Sequence, residues 1–408
     1  MADFKEDEEE MTVDAFHTSG TSPSFARRHQ PCRVAILGFG TVGSAIASRL
    51  AGSDPVDGLE LTHVLDRRAP VKRDAFVEGH VARARAISWT TRFDDILTSD
   101  ADIVVEAIGG LEPAADWIHA ALAAGKSVVT ANKQVIAQCG PSLLALAARQ
   151  GRQLRFEAAV GGAMPIVRAV SEGLTGDRLT RIVGVLNGTS NAVLSRIEST
   201  GCSMEQAVID ARMRGYAEAD PSADLDGTDA QAKLAILCAL GFGLRIDHAR
   251  IDTRSIAGLD AGDLERARRR DCSVRQLAFA GYDRARSELT AWVAPALVPR
   301  WSIFARTSGP ENAAVITGEH AGDIGVFGAG AGGRATAVAA ISDLVTIARD
   351  RAAIVSAPAL SIPESIVGLD AGVDIVEYAK HAERAEGAKK SLGGLGWLSD
   401  LCDIPEAV

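Results

Sequence analysis

Long apolar runs are missing from this sequence: nowhere does it reach the roughly 18 consecutive apolar residues that a membrane span needs. Its first ten residues are acidic (Glu6, Asp7, Glu8, Glu9, Glu10) and lack the basic-then-apolar order of a secretion signal. Cysteine is sparse as well. The six cysteines (Cys32, Cys139, Cys202, Cys238, Cys272, Cys402) form no CxxC pair and have no histidine nearby at ligand spacing. That excludes the usual zinc and disulfide frameworks and reads as reduced thiols in a cytoplasmic protein. There is no excess of positive charge either. A net charge of −10 argues against nucleic acid as a partner, because phosphate binding draws on clustered Lys and Arg. Small anionic ligands stay open, since they need only a local basic site.

What remains is the balance of a soluble globular protein, with 47% hydrophobic and 24% charged residues. A chain of 408 residues has room for two domains plus tails. Residues 1–30 show no hydrophobic period and read as a disordered leader. From Cys32 onward the pattern alternates. Apolar strands are expected over 33–37, 59–65, 102–108 and 126–130, with helices over 41–50, 113–124 and 141–149. Such alternation predicts an α/β domain, a doubly wound parallel sheet of Rossmann type covered by helices.

After residue 160 the texture changes to α+β. Helices are expected over 190–200, 204–214 and 226–240, and antiparallel strands over 180–186, 274–282, 289–297 and 313–317. A second glycine cluster at 328–333 leads into a helix over 336–349. Residues 351–408 carry weak periodicity and read as an appended segment.

Gly38-Phe-Gly40-Thr41-Val42-Gly43 matches GxGxxG directly after a strand and at the opening of a helix. The first glycine makes the turn, the second lets backbone approach a pyrophosphate, and the third lets helix pack on strand. The bland alternative is a tight structural turn. The second strand ends at Asp66-Arg67-Arg68. An acid there takes the ribose hydroxyls of NAD, whereas an arginine accommodates the NADP phosphate. This sequence offers both, unless the arginines are solvated loop charges, so the preference stays open.

Three further stretches carry chemistry. Lys133 in Thr130-Ala-Asn-Lys133 follows a sheet strand and is either a surface loop cation or an active-site ammonium. Glu157 in Phe156-Glu-Ala-Ala-Val-Gly-Gly-Ala-Met-Pro165 either faces a hard cation together with backbone carbonyls or caps a turn. In Gly215–Lys233, Asp229 and Lys233 share a helix face at i and i+4. That pair is either an exposed salt bridge or, beside the apolar run 234–240, a half-buried one.

Taken in order with the glycine fingerprint, the stretches 128–133 (VVTANK), 156–165 (FEAAVGGAMP), 186–191 (LNGTSN), 215–233 and 328–333 (GAGAGG) resemble the homoserine dehydrogenase family, from Gly38 to about Arg349. The resemblance implies NAD(P)-dependent interconversion of L-homoserine and L-aspartate 4-semialdehyde, a step of threonine and methionine biosynthesis. It implies Lys133, Glu218, Asp229 and Lys233 as catalytic and substrate residues. Oxidation of an alcohol needs a base for the hydroxyl proton, and a lysine with a lowered pKa can supply it. Lys233 is the expected proton carrier, with Lys133 orienting substrate and completing the relay. Asp229 and Glu218 suit the substrate's ammonium and hydroxyl.

The same resemblance implies a structural monovalent cation such as Na+ on Glu157, Val160, Gly162 and Met164, with Glu157 giving its side chain and the others their carbonyls. It extends the nucleotide site to Asn187, Gly188, Gly330 and Gly332. The nucleotide domain would then be residues 31–160 and 328–350, and the substrate and dimerisation domain 161–327. It also implies a homodimer through the second domain's sheet.

Departures from the family pattern are Arg334-Ala335, where many relatives have a proline, and Ala219, where proline is common. Residues 351–408 are short for an ACT regulatory domain, so threonine feedback through one is not expected. Two other readings compete: a related dehydrogenase acting on another short hydroxy acid or hydroxy amino acid, and a nucleotide-binding regulator without chemistry. Both lysines and both carboxylates speak against the regulator.

Overall fold

The computed structural model describes residues 30–79, 84–351 and 359–369. From Pro31 onward these residues belong to one unit. The expected leader, up to residue 29, and most of the appended segment, 352–358 and 370–408, lie outside the described residues.

The first half is a parallel sheet of β1 (Cys32–Leu37), β2 (Leu59–Leu65), β3 (Ser88–Thr90), β4 (Ile103–Glu106), β5 (Ser127–Thr130) and β6 (Leu154–Arg155), in the spatial order β3-β2-β1-β4-β5-β6. Around it lie α1 (Thr41–Ala51), α2 (Ala69–Gly79), α3 (Phe93–Leu97), α4 (Ala114–Ala123) and α5 (Lys133–Arg149). The order reverses at β1, which pairs with both β2 and β4, and that reversal opens a crevice at the strands' carboxyl ends. β4 and β5 are buried along their whole lengths, as the central strands of a parallel sheet covered on both faces must be. Each fully buried Ile or Val there contributes about 1.5–3 kcal/mol.

The second half begins with the short α6 (Ile166–Arg168) and β7 (Leu179–Val185). Four helices follow: α7 (Gly188–Thr200), α8 (Met204–Met213), α9 (Ser222–Leu225) and α10 (Thr228–Phe242). After them come β8 (Asp252–Thr253), α11 (Ala261–Arg269), β9 (Cys272–Asp283), β10 (Glu288–Pro299), α12 (Ile303–Arg306), β11 (Glu311–Gly318) and β12 (Gly322–Ala329). The chain then forms α13 (Gly333–Arg349) and β13 (Ser365–Val367). The second sheet runs β12-β11-β7-β9-β10-β13, mostly antiparallel, with β13 parallel to β10 at one edge.

Two differences from the sequence reading bear on the site. α5 starts at Lys133 and runs through Pro141, so Lys133 sits in a helix's first turn and not in a loop. β12 is an additional strand, hidden in the sequence because its glycines and exposed positions blur the period of two. α13 returns to the first sheet: Ala337, Ala340, Leu344 and Ile347 join Ile36, Ile46 and Leu50 in one core cluster. The other face of that sheet shares a core with α10 and the second sheet through Val135, Leu144, Leu234 and Leu237.

Part of the tail is docked. Ser361 exchanges backbone hydrogen bonds with Gly243 and Arg245 beyond α10, each 2.8 Å, and Leu369 N donates to Asp252 Oδ2 at 2.8 Å.

Candidate active site

At the crevice, Gly38 adopts φ +93°, and a Cβ there would come 2.7 Å from Ala107 O. A Cβ on Gly43 would lie 1.9 Å from Gly38 O, so helix and strand could not close as they do. Gly40, by contrast, would meet nothing within 4 Å. The turn is therefore tight beneath and open above, where the amino end of α1 offers unpaired N–H groups to an anion. The residues present fit a dinucleotide. Asp66 closes the turn from β2: its Oδ2 accepts from Phe39 N at 2.9 Å and from Lys72 Nζ at 2.6 Å, and its Oδ1 accepts from Arg68 N at 2.8 Å. Burial pushes its carboxyl up, but these donors outweigh that and hold it below the ordinary range. Arg67 and Arg68 are exposed.

Across the crevice, Asp229 brings the two lysines together. Its Oδ1 is 2.7 Å from Lys133 Nζ and its Oδ2 2.7 Å from Lys233 Nζ. The Asp229 side chain is 6% exposed, Lys233 11% and Lys133 37%, so the cluster opens to the crevice on the Lys133 side. Position in the helices explains the meeting. Lys133 opens α5, Asp229 lies in the first turn of α10, and Lys233 follows one turn later. Lys233 Nζ also donates to Leu186 O at 2.9 Å, and Asn187 Nδ2 donates to Asp229 Oδ2 at 2.8 Å and to Asp224 Oδ1 at 2.6 Å. The i,i+4 pair is buried, and the exposed-salt-bridge reading does not hold.

Charge follows from this packing. Burial favours a neutral Asp229, yet two ammonium groups in contact hold its carboxyl far below the usual range. Burial alone would lower Lys133, but Asp229, Asp224 and Glu218 together raise it. The lowered value expected of a proton-abstracting lysine is thus not found at Lys133, because three carboxylates face it. Asp224 moves up, through burial first and the neighbouring Asp229 charge after it. Glu218 is exposed on the loop before α9, which Thr189 Oγ1 fastens by donating to Tyr216 O at 2.6 Å.

The glycine-rich stretches converge. A Cβ at Gly333 would lie 2.6 Å from Thr41 O, one at Gly188 2.9 Å from Ala331 Cβ, and one at Gly162 2.7 Å from Gly330 O. The late cluster therefore sits between the fingerprint helix, the 187–189 turn and the 157–164 turn, with Gly332 at φ +105°. Asn187, expected to face nucleotide, caps α7 through Ser190 N and spends its amide on Asp224 and Asp229.

Glu157 is expected either to face a cation or to cap a turn, and its Oε1 accepts from Val167 N and its Oε2 from Arg168 N, both at 2.8 Å. The turn-capping alternative is what the geometry presents: the side chain satisfies the open amides of α6. Burial raises it to about 7.

Both departures are structurally mild. Ala335 lies in the first turn of α13, where a proline's missing N–H would go unused anyway. Ala219 O accepts from Arg212 Nη2 at 2.7 Å. Sequence reasoning missed Asp224, Lys72 and the carbonyl of Leu186, which carry no spacing of their own. An acid three residues before a helix-opening glycine was the one available hint for Asp224.

A sheet in this order, an open glycine turn at its switch point and a lysine–carboxylate cluster facing the turn define a nicotinamide-dependent oxidoreductase of the Rossmann class. Residues 38–157 match the family model described as "Homoserine dehydrogenase, NAD binding domain", and residues 165–345 the one described as "Homoserine dehydrogenase". The homoserine dehydrogenase of Synechocystis is 38% identical over 320 residues, covering 77% of this chain and 73% of the relative. That of Corynebacterium glutamicum is 34% identical over 378 residues, 88% and 82% of the two chains. The crystal structure of a homoserine dehydrogenase from Thiobacillus denitrificans superposes with a TM-score of 0.74 at 33% identity, covering 83% of this chain and 80% of that one. An archaeal homoserine dehydrogenase solved with NADPH gives 0.64 at 26% identity, covering 79% of this chain and 98% of that one. The chain belongs to the homoserine dehydrogenase family, NAD(P)-dependent oxidoreductases acting on CH–OH groups.

Proposed function

We propose that the protein interconverts L-homoserine and L-aspartate 4-semialdehyde in the cytoplasm, within threonine and methionine biosynthesis. The observation that carries this reading is Asp229 held between Lys133 and Lys233 opposite an open dinucleotide turn. When bound, NAD(P) supplies the acceptor or donor of hydride. The chain's own residues bind and move the rest. Asp224, Glu218 and Asp229 present negative charge to the substrate's ammonium, while the lysines face its hydroxyl or aldehyde oxygen. Lys233 is our proton carrier, and Asp229 links it to Lys133, the better exposed of the two. In the aldehyde-reducing direction an ammonium is the competent donor, and the raised Lys133 keeps a second ammonium at the substrate's oxygen to orient it.

Cofactor preference turns on the β2 end. The three donors on Asp66 compete with ribose hydroxyls for its oxygens, and Lys72, Arg67 and Arg68 supply positive charge, which favours NADP. A monovalent cation, if Na+ is added, would rest on the carbonyls of Val160, Gly162 and Met164 without the Glu157 carboxylate. We place the nucleotide domain at 31–160 with 328–350 and the substrate domain at 161–327. We assign a homodimer to the second sheet, on whose edge strand β12 Phe327 stands exposed.

The test is nicotinamide absorbance with L-homoserine and NAD or NADP, beside Lys233→Ala. Turnover that the variant loses supports the reading. Nicotinamide binding without turnover of homoserine, but with another short hydroxy acid, overturns it.

A further inference from the structure

Glu106 ends β4, an otherwise apolar strand, at the carboxyl edge of the sheet, and its side chain is wholly buried. A carboxyl group there is costly to bury unless its oxygens are satisfied. No ion pair reaches it among the described residues; three donors do. Oε1 accepts from Ile108 N at 2.8 Å and Gly109 N at 3.2 Å, and Oε2 accepts from the hydroxyl of Thr130.

Those donors belong to two different connections. Ile108 and Gly109 lie in the loop after β4, whose Ala107 O would be 2.7 Å from a Cβ on Gly38. Thr130 ends β5, and its Oγ1 accepts from Asn132 N at 3.0 Å. Asn132 then uses both ends of its amide: Nδ2 donates to Gly110 O at 2.6 Å, and Oδ1 accepts from Val135 N at 3.2 Å, capping the helix that Lys133 opens.

We propose that Glu106 is a positioning residue: one buried carboxylate locks the loop beneath the nucleotide turn to the turn that carries Lys133, and so sets Lys133 against Asp229. The inference rests on the reading of Lys133 as part of the reacting site. A carboxylate suits the place because all three donors aim at its two oxygens. A glutamine would turn an NH2 toward Thr130 Oγ1, so the hydroxyl would have to accept through its second lone pair and its own hydrogen would lose its acceptor.

The test uses the full chain with Glu106→Gln, Thr130→Val and Lys133→Ala. Glu106→Gln should lower kcat by about tenfold, and Thr130→Val by less, since a misplacement under 1 Å suffices for such losses. In the Lys133→Ala background Thr130→Val should change residual turnover less than twofold, as expected of coupled sites. A second readout needs no substrate. In reductively 13C-methylated protein the Lys133 resonance, assigned by its loss in Lys133→Arg, should titrate nearer ordinary lysine in both Glu106→Gln and Thr130→Val. If Glu106→Gln fails to fold, Thr130→Val alone decides. Unchanged kcat and an unmoved resonance overturn the proposal, as does an equal loss with and without Lys133. A moved resonance in a protein that does not turn over homoserine keeps the positioning role and rejects the reaction.

Discussion

Asp229 and Asp343 are both buried aspartates at the meeting of helix and turn, and their carboxyls move in opposite directions. Asp229 touches two ammonium groups and is pulled far down. Asp343, on α13, is raised to about 6, first by burial. Its Oδ2 accepts from Glu157 N at 2.9 Å and its Oδ1 meets Arg168 Nη2 at 3.0 Å, with Glu157 itself raised close by. Depth of burial is thus not what separates them; countercharge is. Two ammonium groups in contact with one acid produce a permanently ionised bridge, whereas one arginine in contact, with Arg155 farther off, does not offset burial, and the carboxyl is held up at about 6.

The comparison breaks most sharply at Asp229. Asp229→Ala leaves two lysines without their shared partner, and losing one side of a buried pair costs about 3–5 kcal/mol. We expect turnover to fall at least about 10³-fold and the urea midpoint to drop; retained activity would show that the bridge is dispensable. Next comes Lys133→Met, which removes the half-exposed cation and keeps Lys233 on Asp229. Turnover should fall about 10²-fold or more while reduced nicotinamide, followed by fluorescence, binds within a few-fold of the parent.

A third change tests the acid that moves up. Because Asp343 keeps its proton to a higher pH in the folded state than its ordinary 3.8, its contribution is present below about 4 and lost as pH rises to about 6. Asp343→Asn should therefore flatten the fall of stability between pH 4 and 6, by on the order of 1–3 kcal/mol across that window. An unchanged slope in denaturant melts at several pH values would reject the assignment. The smallest effect is expected at Lys72→Ala. Freeing Asp66 Oδ2 should shift the NADP-to-NAD ratio of kcat/KM toward NAD by roughly tenfold or less, a change of about 1 kcal/mol. A shift the other way would mean that Lys72 serves Asp66 rather than opposing it.

Much of the frame is legible in the sequence because its causes are local. Continuous apolar strands, a glycine turn and capped helices announce themselves within a few residues, and the strands at 33–37 and 59–65 lie where expected. The start of α5 is misplaced in the sequence reading because Pro141 looks like a helix start, although the Asn132 cap lies a full two turns earlier. Glu157 invites a reading by family position, while its carboxylate answers to the bare amides of α6, which no spacing advertises. Glu106 hides inside an apolar strand, where a lone acid looks like an edge charge.

By itself the sequence determined the parallel sheet, the dinucleotide turn and the shared face of Asp229 and Lys233, since periodicity and helix geometry act between near neighbours. Only the tertiary structure decided that Lys133 reaches the same carboxylate, that Asn187 turns to the acids and that Asp343 titrates high. Those outcomes depend on which charges packing brings within a few ångströms of one another, and segments far apart along the chain supply them.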